Sequence, residues 1–384
     1  MAYYDIKTAN CLLARDERAI NPMKVLRTPD ACFEMIPDYP FEPHYTEIAT
    51  GGSQTLRIHH IDEGDRHAPV VLLMHGQPSW SYLYRKMVPL LVQQGFRVIA
   101  PDLPGYGKSD KPAAREDYSY QRQVDWLGAW LVANDLSEVT VFGQDWGGLI
   151  GLRLVVDHPE RFSRVVIGNT GLPINLQPNP DLVAKIARFR SDGRRLSLPA
   201  MSKVLSRLPR AGSEDPDAFP MGFAYWQKFC WETADMPAGF LMEMMISPAA
   251  TWRVVPRVLL HHYLATSLPP LTPLGRAYEA PFPAPEYKMG PRAMPSQVPT
   301  LPTDPSVDAQ AGAWAFFERF DKPFLCLFTA DDPVTRGLEK TFIGRVPGTR
   351  GLNHQVFERG GHFLQERCHR ELSDAISALI RATS

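Results

Sequence analysis

Residues 139–148 read Val139-Thr140-Val141-Phe142-Gly143-Gln144-Asp145-Trp146-Gly147-Gly148. The first four are β-branched or aromatic and form a short apolar run, the signature of a buried strand. Gly143-Gln144-Asp145-Trp146-Gly147 then matches the G-x-nucleophile-x-G turn from strand into helix, with an aspartate in the nucleophile position. The turn lifts its central side chain clear of a sheet, and the glycines let strand and helix pack closely. Serine there would imply acyl transfer. A carboxylate instead attacks an electrophilic carbon and forms an alkyl ester, which water can cleave at the carbonyl. Hydrolysis of a substrate with an alkyl leaving group is the expectation that follows from Asp145.

Around this stretch, apolar runs and helical patterns alternate. Residues 45–48 and 56–61 flank Thr50-Gly51-Gly52-Ser53 as a hairpin. Buried-strand runs follow at 70–74, 96–100, 139–142 and 165–167, separated by helical patterns at 82–94, 120–134 and 146–158. Two further strands at 324–328 and 354–357 precede a closing helix at 371–380. This order predicts an α/β fold: a mostly parallel sheet with helices on both faces. The stretch between Ile167 and Phe324 is too long for a loop in a compact domain. Residues 226–263 within it are helical in pattern and rich in Met, Trp and Phe. The expected organisation is an N-terminal extension (1–22), a first core part (23–170), an inserted, mainly helical cap (171–305) and a second core part (306–384). Of 36 prolines, 11 lie between Pro269 and Pro305, so that segment is expected to return to the core as an irregular strap.

Composition excludes several classes. A formal net charge of −1 over 384 residues offers no global attraction to nucleic acid or an anionic membrane. No apolar run approaches the ~20 residues of a spanning helix, and residues 1–22 lack the apolar core of a secretory signal. Five cysteines, an odd number without a CxxC pair, read as free thiols in a reducing compartment, so a cytoplasmic protein is expected. His59-His60 and His261-His262 have no metal-ligand spacing and read as surface or packing residues. Neither a metal nor an organic cofactor is implied.

An aspartate nucleophile needs a base to activate water and an acid to orient the base, in the chain order nucleophile, acid, histidine. His362, in Gly360-Gly361-His362-Phe363, is the last strand-end histidine. Gly168-Asn169-Thr170-Gly171-Leu172-Pro173 contains no carboxylate, whereas Thr329-Ala330-Asp331-Asp332-Pro333 contains two. The acid therefore belongs to the second turn. Motif register favours Asp332, with Asp331 as the alternative. The backbone N–H groups of Trp146 and of Gln77, in His75-Gly76-Gln77-Pro78, are the expected oxyanion donors. His75 is read as shaping its turn. The Trp146 indole N–H is a donor with no acceptor capacity. It suits a departing anion too weakly basic to need a proton, hence a halide.

With these residues in place, the chain resembles the haloalkane dehalogenases of the α/β-hydrolase superfamily from about Met23 to the C-terminus. The resemblance rests on Met23-Lys-Val-Leu-Arg-Thr-Pro-Asp30, Asp38-Tyr-Pro-Phe41, His75-Gly-Gln-Pro-Ser-Trp-Ser-Tyr-Leu-Tyr-Arg-Lys-Met87 and Asp102-Leu-Pro-Gly-Tyr-Gly-Lys-Ser-Asp110. It continues in Gln144-Asp-Trp-Gly-Gly148, Ala280-Pro-Phe-Pro283 and Gly361-His-Phe-Leu-Gln-Glu366. It implies the α/β-hydrolase fold with an eight-stranded sheet, and a haloalkane converted to an alcohol, halide and a proton. It is closest to the subfamily that binds halide with two tryptophans and takes its acid after the later strand. Gln77 after His75-Gly76, and Asn169 after the earlier strand, both fit. Tyr225-Trp226-Gln227-Lys228-Phe229 matches the cap motif that carries the second tryptophan, so the halide-binding role passes to Trp226, with Trp231 as runner-up. The implied partners are a small halogenated substrate and a halide product, with monomer and homo-oligomer both open.

The chain departs from that pattern in a segment of roughly 45 residues, 175–219. It carries apolar stripes at Leu182, Ile186, Phe189 and at Val204, Leu205, Leu208. Eight basic and two acidic residues lie between Asp181 and Arg210, read first as a solvated face on an extra helix. Two rival functions stay open. Epoxide hydrolysis shares the HGxP turn and the aspartate, but needs a ring-opening donor pair, for which Tyr225, Tyr263, Tyr278 and Tyr287 are available. A ligand receptor on a hydrolase fold would not need the complete triad.

Overall fold

The computed structural model describes residues 23–51, 54–173, 179–193, 196, 218–246, 270 and 272–383. Eight strands form one sheet: β1 (His44–Ala49), β2 (Thr55–Glu63), β3 (Val70–Met74), β4 (Arg97–Pro101), β5 (Val139–Gln144), β6 (Phe162–Gly168), β7 (Phe324–Thr329) and β8 (Gln355–Phe357). Their spatial order is β8-β7-β6-β5-β3-β4-β2-β1. β2 runs antiparallel to β1 and to β4, and every other pairing is parallel. All eight strand regions expected from the sequence are present, with ends shifted by up to three residues.

The sheet divides the core in two. Val71 and Leu73 of β3, Phe142 of β5 and Leu325 and Leu327 of β7 face helices α1 (Met87–Gln93) and α11 (His369–Ala382). Leu72, Met74, Val141, Val165 and Cys326 point the other way, toward α2 (Tyr120–Ala133) and α3 (Trp146–Asp157). Residues one apart on a strand face opposite sides, so the continuous apolar runs feed both layers. Burial on both faces is what those runs required.

The helices differ from expectation where proline intervenes. The pattern over residues 82–94 divides into a 3-10 turn, Ser81–Tyr84, and α1. Pro89 lacks an N–H, and its ring clashes with the carbonyl four residues back, so an α-helix cannot run through residue 85. Pro237 acts likewise: the pattern beginning at 226 becomes α5 (Ala218–Glu232) and α6 (Ala238–Ile246), and its continuation past 246 lies outside the described residues. α4 (Pro180–Ser191) carries the first apolar stripe of the insert, with Asn179 accepting from the Asp181 N–H as its N-cap. Leu182 and Ile186 are buried with Ala224 of α5, and Phe189 packs against them. The second stripe, at 204–208, lies outside the described residues.

The expected irregular strap is instead largely helical. It contains α7 (Pro273–Glu279), 3-10 turns at Pro285–Lys288 and Met294–Gln297, and α8 (Met289–Ala293). Pro273, Pro285 and Pro295 occupy first-turn positions, where a fixed φ and a missing N–H cost nothing. Two helices of the second core part, α9 (Val307–Phe317) and α10 (Glu339–Arg345), were not read from the sequence. No helix among the described residues is long and apolar enough to cross a membrane.

Candidate active site

Asp145 sits at the carboxyl end of β5, with φ 50° and ψ −126°, and α3 begins at the next residue. That positive φ is strained for a non-glycine residue. It is held by its surroundings. The Asp145 N–H donates to the Asn169 carbonyl at 3.1 Å, and the Asp145 carbonyl accepts from the Gly148 N–H at 3.0 Å and the Thr170 hydroxyl at 2.7 Å. A side chain at Gly76 would collide with the Asp145 carboxylate, one at Gly147 with the Met74 carbonyl, and one at Gly148 with Thr170. The glycines of both motifs are thus required by close approach around one aspartate.

The Asp145 carboxylate is engaged on both oxygens. Oδ1 accepts from the Gln77 backbone N–H at 2.7 Å, and Oδ2 lies 3.3 Å from His362 Nε2. The Gln77 side chain turns away and donates to the Pro291 carbonyl at 3.1 Å. The Trp146 N–H is among the first donors of α3, which have no partner within the helix. The Trp146 indole is buried and edge-on to Tyr120, with ring centroids 5.1 Å apart. His75 Nε2 accepts from the Leu103 N–H at 3.0 Å, leaving Nδ1 to donate to the Gly76 carbonyl at 2.9 Å. This histidine is a neutral tie between loops, and burial lowers its pKa.

His362 Nδ1 lies 3.0 and 3.1 Å from the two oxygens of Asp332. Asp332 is fully buried and also accepts from the Val334 and Thr335 N–H groups and the Thr335 hydroxyl. Burial works to raise its pKa, but the charge and hydrogen bond of His362 and these donors outweigh burial and hold it low. For His362, burial works to lower the pKa. The charge of Asp332 and the hydrogen bonds and charge of both carboxylates overcome it and raise the pKa to about 10. Asp331 points elsewhere: its Oδ1 accepts from the Gly360 N–H at 2.9 Å and the Gly361 N–H at 2.7 Å.

The geometry also assigns work to residues that the sequence did not single out for it. Asn169, itself at φ 42°, donates from Nδ2 to the Gly361 carbonyl at 2.7 Å and the His362 carbonyl at 3.1 Å. Its Oδ1 accepts from the Thr329 N–H at 3.0 Å. Gln144 Nε2 donates to the His362 carbonyl at 3.1 Å, and the Thr329 hydroxyl donates to the Gly361 carbonyl at 2.8 Å. The available signal was position: Gln144, Asn169 and Thr329 each end a strand or follow one directly, and strand ends converge at the site of an open parallel sheet.

The other candidates fall into place around this set. Trp226 takes no part in the hydrogen-bonded group. It is half-buried on α5 against the cluster of Phe229, Cys230, Met236, Phe240 and Leu241. Trp231 carries the Arg115 guanidinium 4.5 Å above its ring, and its carbonyl accepts from Arg115 and Arg292. Of the tyrosines, Tyr225 packs on Phe189 with centroids 4.2 Å apart, and the Tyr278 hydroxyl donates to Glu366 at 2.5 Å. Tyr287 packs against the main core, and Tyr263 lies outside the described residues, as do His261 and His262. His59 and His60 are buried, and His59 Nδ1 lies 2.7 Å from Asp102. Arg190, expected on a solvated face, instead forms an ion pair with Asp304 at 2.8 Å and donates to Gln227 and Thr300.

A family model described as the alpha/beta hydrolase fold matches residues 69–200. A haloalkane dehalogenase from Psychrobacter cryohalolentis is 41% identical over 344 residues, covering 90% of this chain and 94% of that protein. One from Mycolicibacterium paratuberculosis is 37% identical over 354 residues, covering 92% and 97%. Among solved structures, the tetrameric haloalkane dehalogenase from Paraglaciecola agarilytica superposes with a TM-score of 0.69 at 25% identity, covering 94% of this chain and 99% of that one.

Proposed function

The chain belongs to the haloalkane dehalogenase family of the α/β-hydrolase fold, and from that premise we propose how its own residues carry out hydrolytic dehalogenation. The enzyme converts a haloalkane to an alcohol, halide and a proton. The observation that carries the residue assignment is the unbroken line Gln77 N–H, Asp145, His362, Asp332.

In the first half-reaction Asp145 Oδ2 attacks the halogen-bearing carbon in line, and the carbon–halogen bond electrons leave with the halide. Oδ1 takes the short hydrogen bond from the Gln77 amide at 2.7 Å and Oδ2 only the longer contact with His362 at 3.3 Å, which favours Oδ2 as the attacking oxygen. The indole N–H groups of Trp146 and Trp226 receive the halide. The product is an uncharged alkyl ester. The ester removes one of the two negative charges that keep His362 protonated. Its pKa falls, it releases its proton, and it becomes a base.

In the second half-reaction His362 Nε2 takes a proton from water while the water oxygen attacks the Asp145 carboxyl carbon. The tetrahedral oxyanion forms on Oδ1, against the Gln77 and Trp146 amides at the positive end of α3. Its collapse expels the alcohol and regenerates the carboxylate. Asp332 holds the imidazole in register and stabilises its charge. Within this reading, residues 171–305 form the cap over a core of 23–170 and 306–384, and the substrate lies between them. A homo-oligomer is part of the reading, since the Paraglaciecola relative is described as tetrameric, and a cytoplasmic location is part of it on the odd number of cysteines without a CxxC pair.

Halide release from 1,2-dibromoethane and 1-bromobutane tests the chemistry. Wild type should release bromide, and Asp145→Ala should not. Release by neither protein would overturn the reading. Quenching of tryptophan fluorescence by bromide tests the cap assignment: Trp226→Phe should weaken binding, whereas Trp231→Phe should leave it near wild type.

A further inference from the structure

The two adjacent aspartates after β7 face different partners. Asp332 is buried and meets the imidazole. Asp331 is exposed, and a single one of its oxygens accepts both amides that precede the imidazole, Gly360 N–H at 2.9 Å and Gly361 N–H at 2.7 Å. Gly361 lies at φ 63°, a left-handed conformation in which successive amides can converge on one anion. The carbonyl side of the same loop is held independently. The Gly361 carbonyl accepts from Asn169 and Thr329, and the His362 carbonyl from Asn169 and Gln144. The loop that carries His362 is therefore gripped from two sides: by neutral strand-end side chains at its carbonyls, and by one carboxylate at its amides.

We propose that Asp331 is a positioning residue for the second half-reaction, clamping the Gly360–Gly361 amides so that His362 Nε2 addresses the water that cleaves the Asp145 ester. The proposal rests on the ester mechanism above and deepens it. In that mechanism the first half-reaction needs Asp145, the halide donors and the oxyanion turn, none of which Asp331 touches. Its second half needs His362 within hydrogen-bond reach of a water that is itself in line with a carbonyl carbon, a geometry steep in distance and angle. Loss of the clamp should then slow ester cleavage and spare ester formation. Because the clamp is a hydrogen-bond acceptor, an amide should largely replace it.

Rapid-quench intact-mass measurement with 1-bromobutane resolves the two steps by following the ester on Asp145 as it appears and decays. For Asp331→Ala the decay should slow about tenfold, equivalent to about 1.4 kcal/mol, with the rate of appearance per folded active site unchanged. Asp331→Asn should decay within about threefold of wild type. Unchanged decay in Asp331→Ala overturns the proposal. So does slowing of appearance and decay by the same factor, which is the mark of a general structural role. Slowing by Asp331→Asn as severe as by Asp331→Ala would also overturn the clamp, since charge and not hydrogen bonding would be the cause. No ester on wild-type Asp145 during turnover would overturn the mechanism itself, and the proposal with it.

Discussion

His362 stands between two carboxylates, 3.3 Å from one oxygen of Asp145 and 3.0 Å from one of Asp332. In the proposed mechanism each acts on it at a different stage of the cycle: Asp332 keeps its charge throughout, but Asp145 loses its charge when alkylated. That mechanism therefore requires an imidazolium in the free enzyme, in keeping with the raised His362 pKa, and a base in the ester intermediate. Two outcomes follow at this scale. His362→Ala should release one halide per active site and then stall as the covalent ester, seen as a mass increase on Asp145. A full-turnover rate in that variant would contradict the role of the base. Asp145→Ala should lower the His362 pKa from about 10 toward the ordinary imidazole range, read from its ring protons by NMR titration. An unmoved titration would mean that Asp332 alone sets it. The aspartate in the elbow, the terminal histidine and the two candidate acids were all legible in the sequence. Between Asp331 and Asp332 the sequence offers only motif register, which favours Asp332, because adjacent residues in a turn point in directions that only the folded backbone defines.

At the scale of elements, one buried carboxylate joins three segments far apart in the chain. Glu366, four residues after His362, takes both Arg85 nitrogens at 2.6 and 2.9 Å, Lys86 at 2.9 Å and the Tyr278 hydroxyl at 2.5 Å. Arg85 and Lys86 lie between the oxyanion turn and α1, and Tyr278 lies on α7. Burial works to raise the Glu366 pKa, but these partners hold it below the usual value. Glu366→Gln leaves the Arg85 guanidinium buried with a neutral partner, which should cost about 3 kcal/mol of stability. Denaturant unfolding would detect this as a lower midpoint at unchanged slope. A midpoint within error of wild type would mean that the network contributes nothing net. Strands were easier to read than helices at this scale. A buried parallel strand is a contiguous apolar run, while the helix breaks depended on Pro89 and Pro237 acting on carbonyls four residues earlier. α9 and α10 are hard to read for other reasons: in α9 the apolar stretch Ala311-Gly312-Ala313-Trp314-Ala315-Phe316-Phe317 has no clear one-sided period, and α10 has only seven residues.

Across the whole molecule, several ionisable groups are folded into states that respond to pH in opposite directions. His60 is pushed down to about 4, chiefly by burial, and His75 is also lowered by burial. Both stay neutral in the fold while the unfolded chain protonates near pH 6.5, so their contribution is present above that pH and is lost as the pH falls toward 4. Asp102, Asp332 and Glu366, all held low, add a further loss below about pH 4. His362 runs the other way. Its raised pKa contributes stability in full below about pH 6.5, and that contribution is lost as the pH rises toward 10. Lys111, pushed down to about 7 by burial, gains stability over the same alkaline range and opposes that loss. The net prediction is therefore on the acid side: the melting temperature should fall as the pH drops below 6.5, and a flat profile between pH 4.5 and 6.5 would contradict the buried neutral histidines.

The order of strands, the aspartate elbow, the glycines around it and the terminal histidine were determined by local sequence, because backbone strain, apolar run length and chain order are local or one-dimensional properties. Tertiary structure alone decided which of two neighbouring aspartates meets the imidazole. It also assigned Gln144, Asn169 and Thr329 to the loop that carries His362, and turned Arg190 from an expected solvent face to Asp304. Those pairings span from 30 to 218 residues along the chain. The direction of a side chain across such a span is set by how the sheet brings its strand ends together, which no short stretch of sequence encodes.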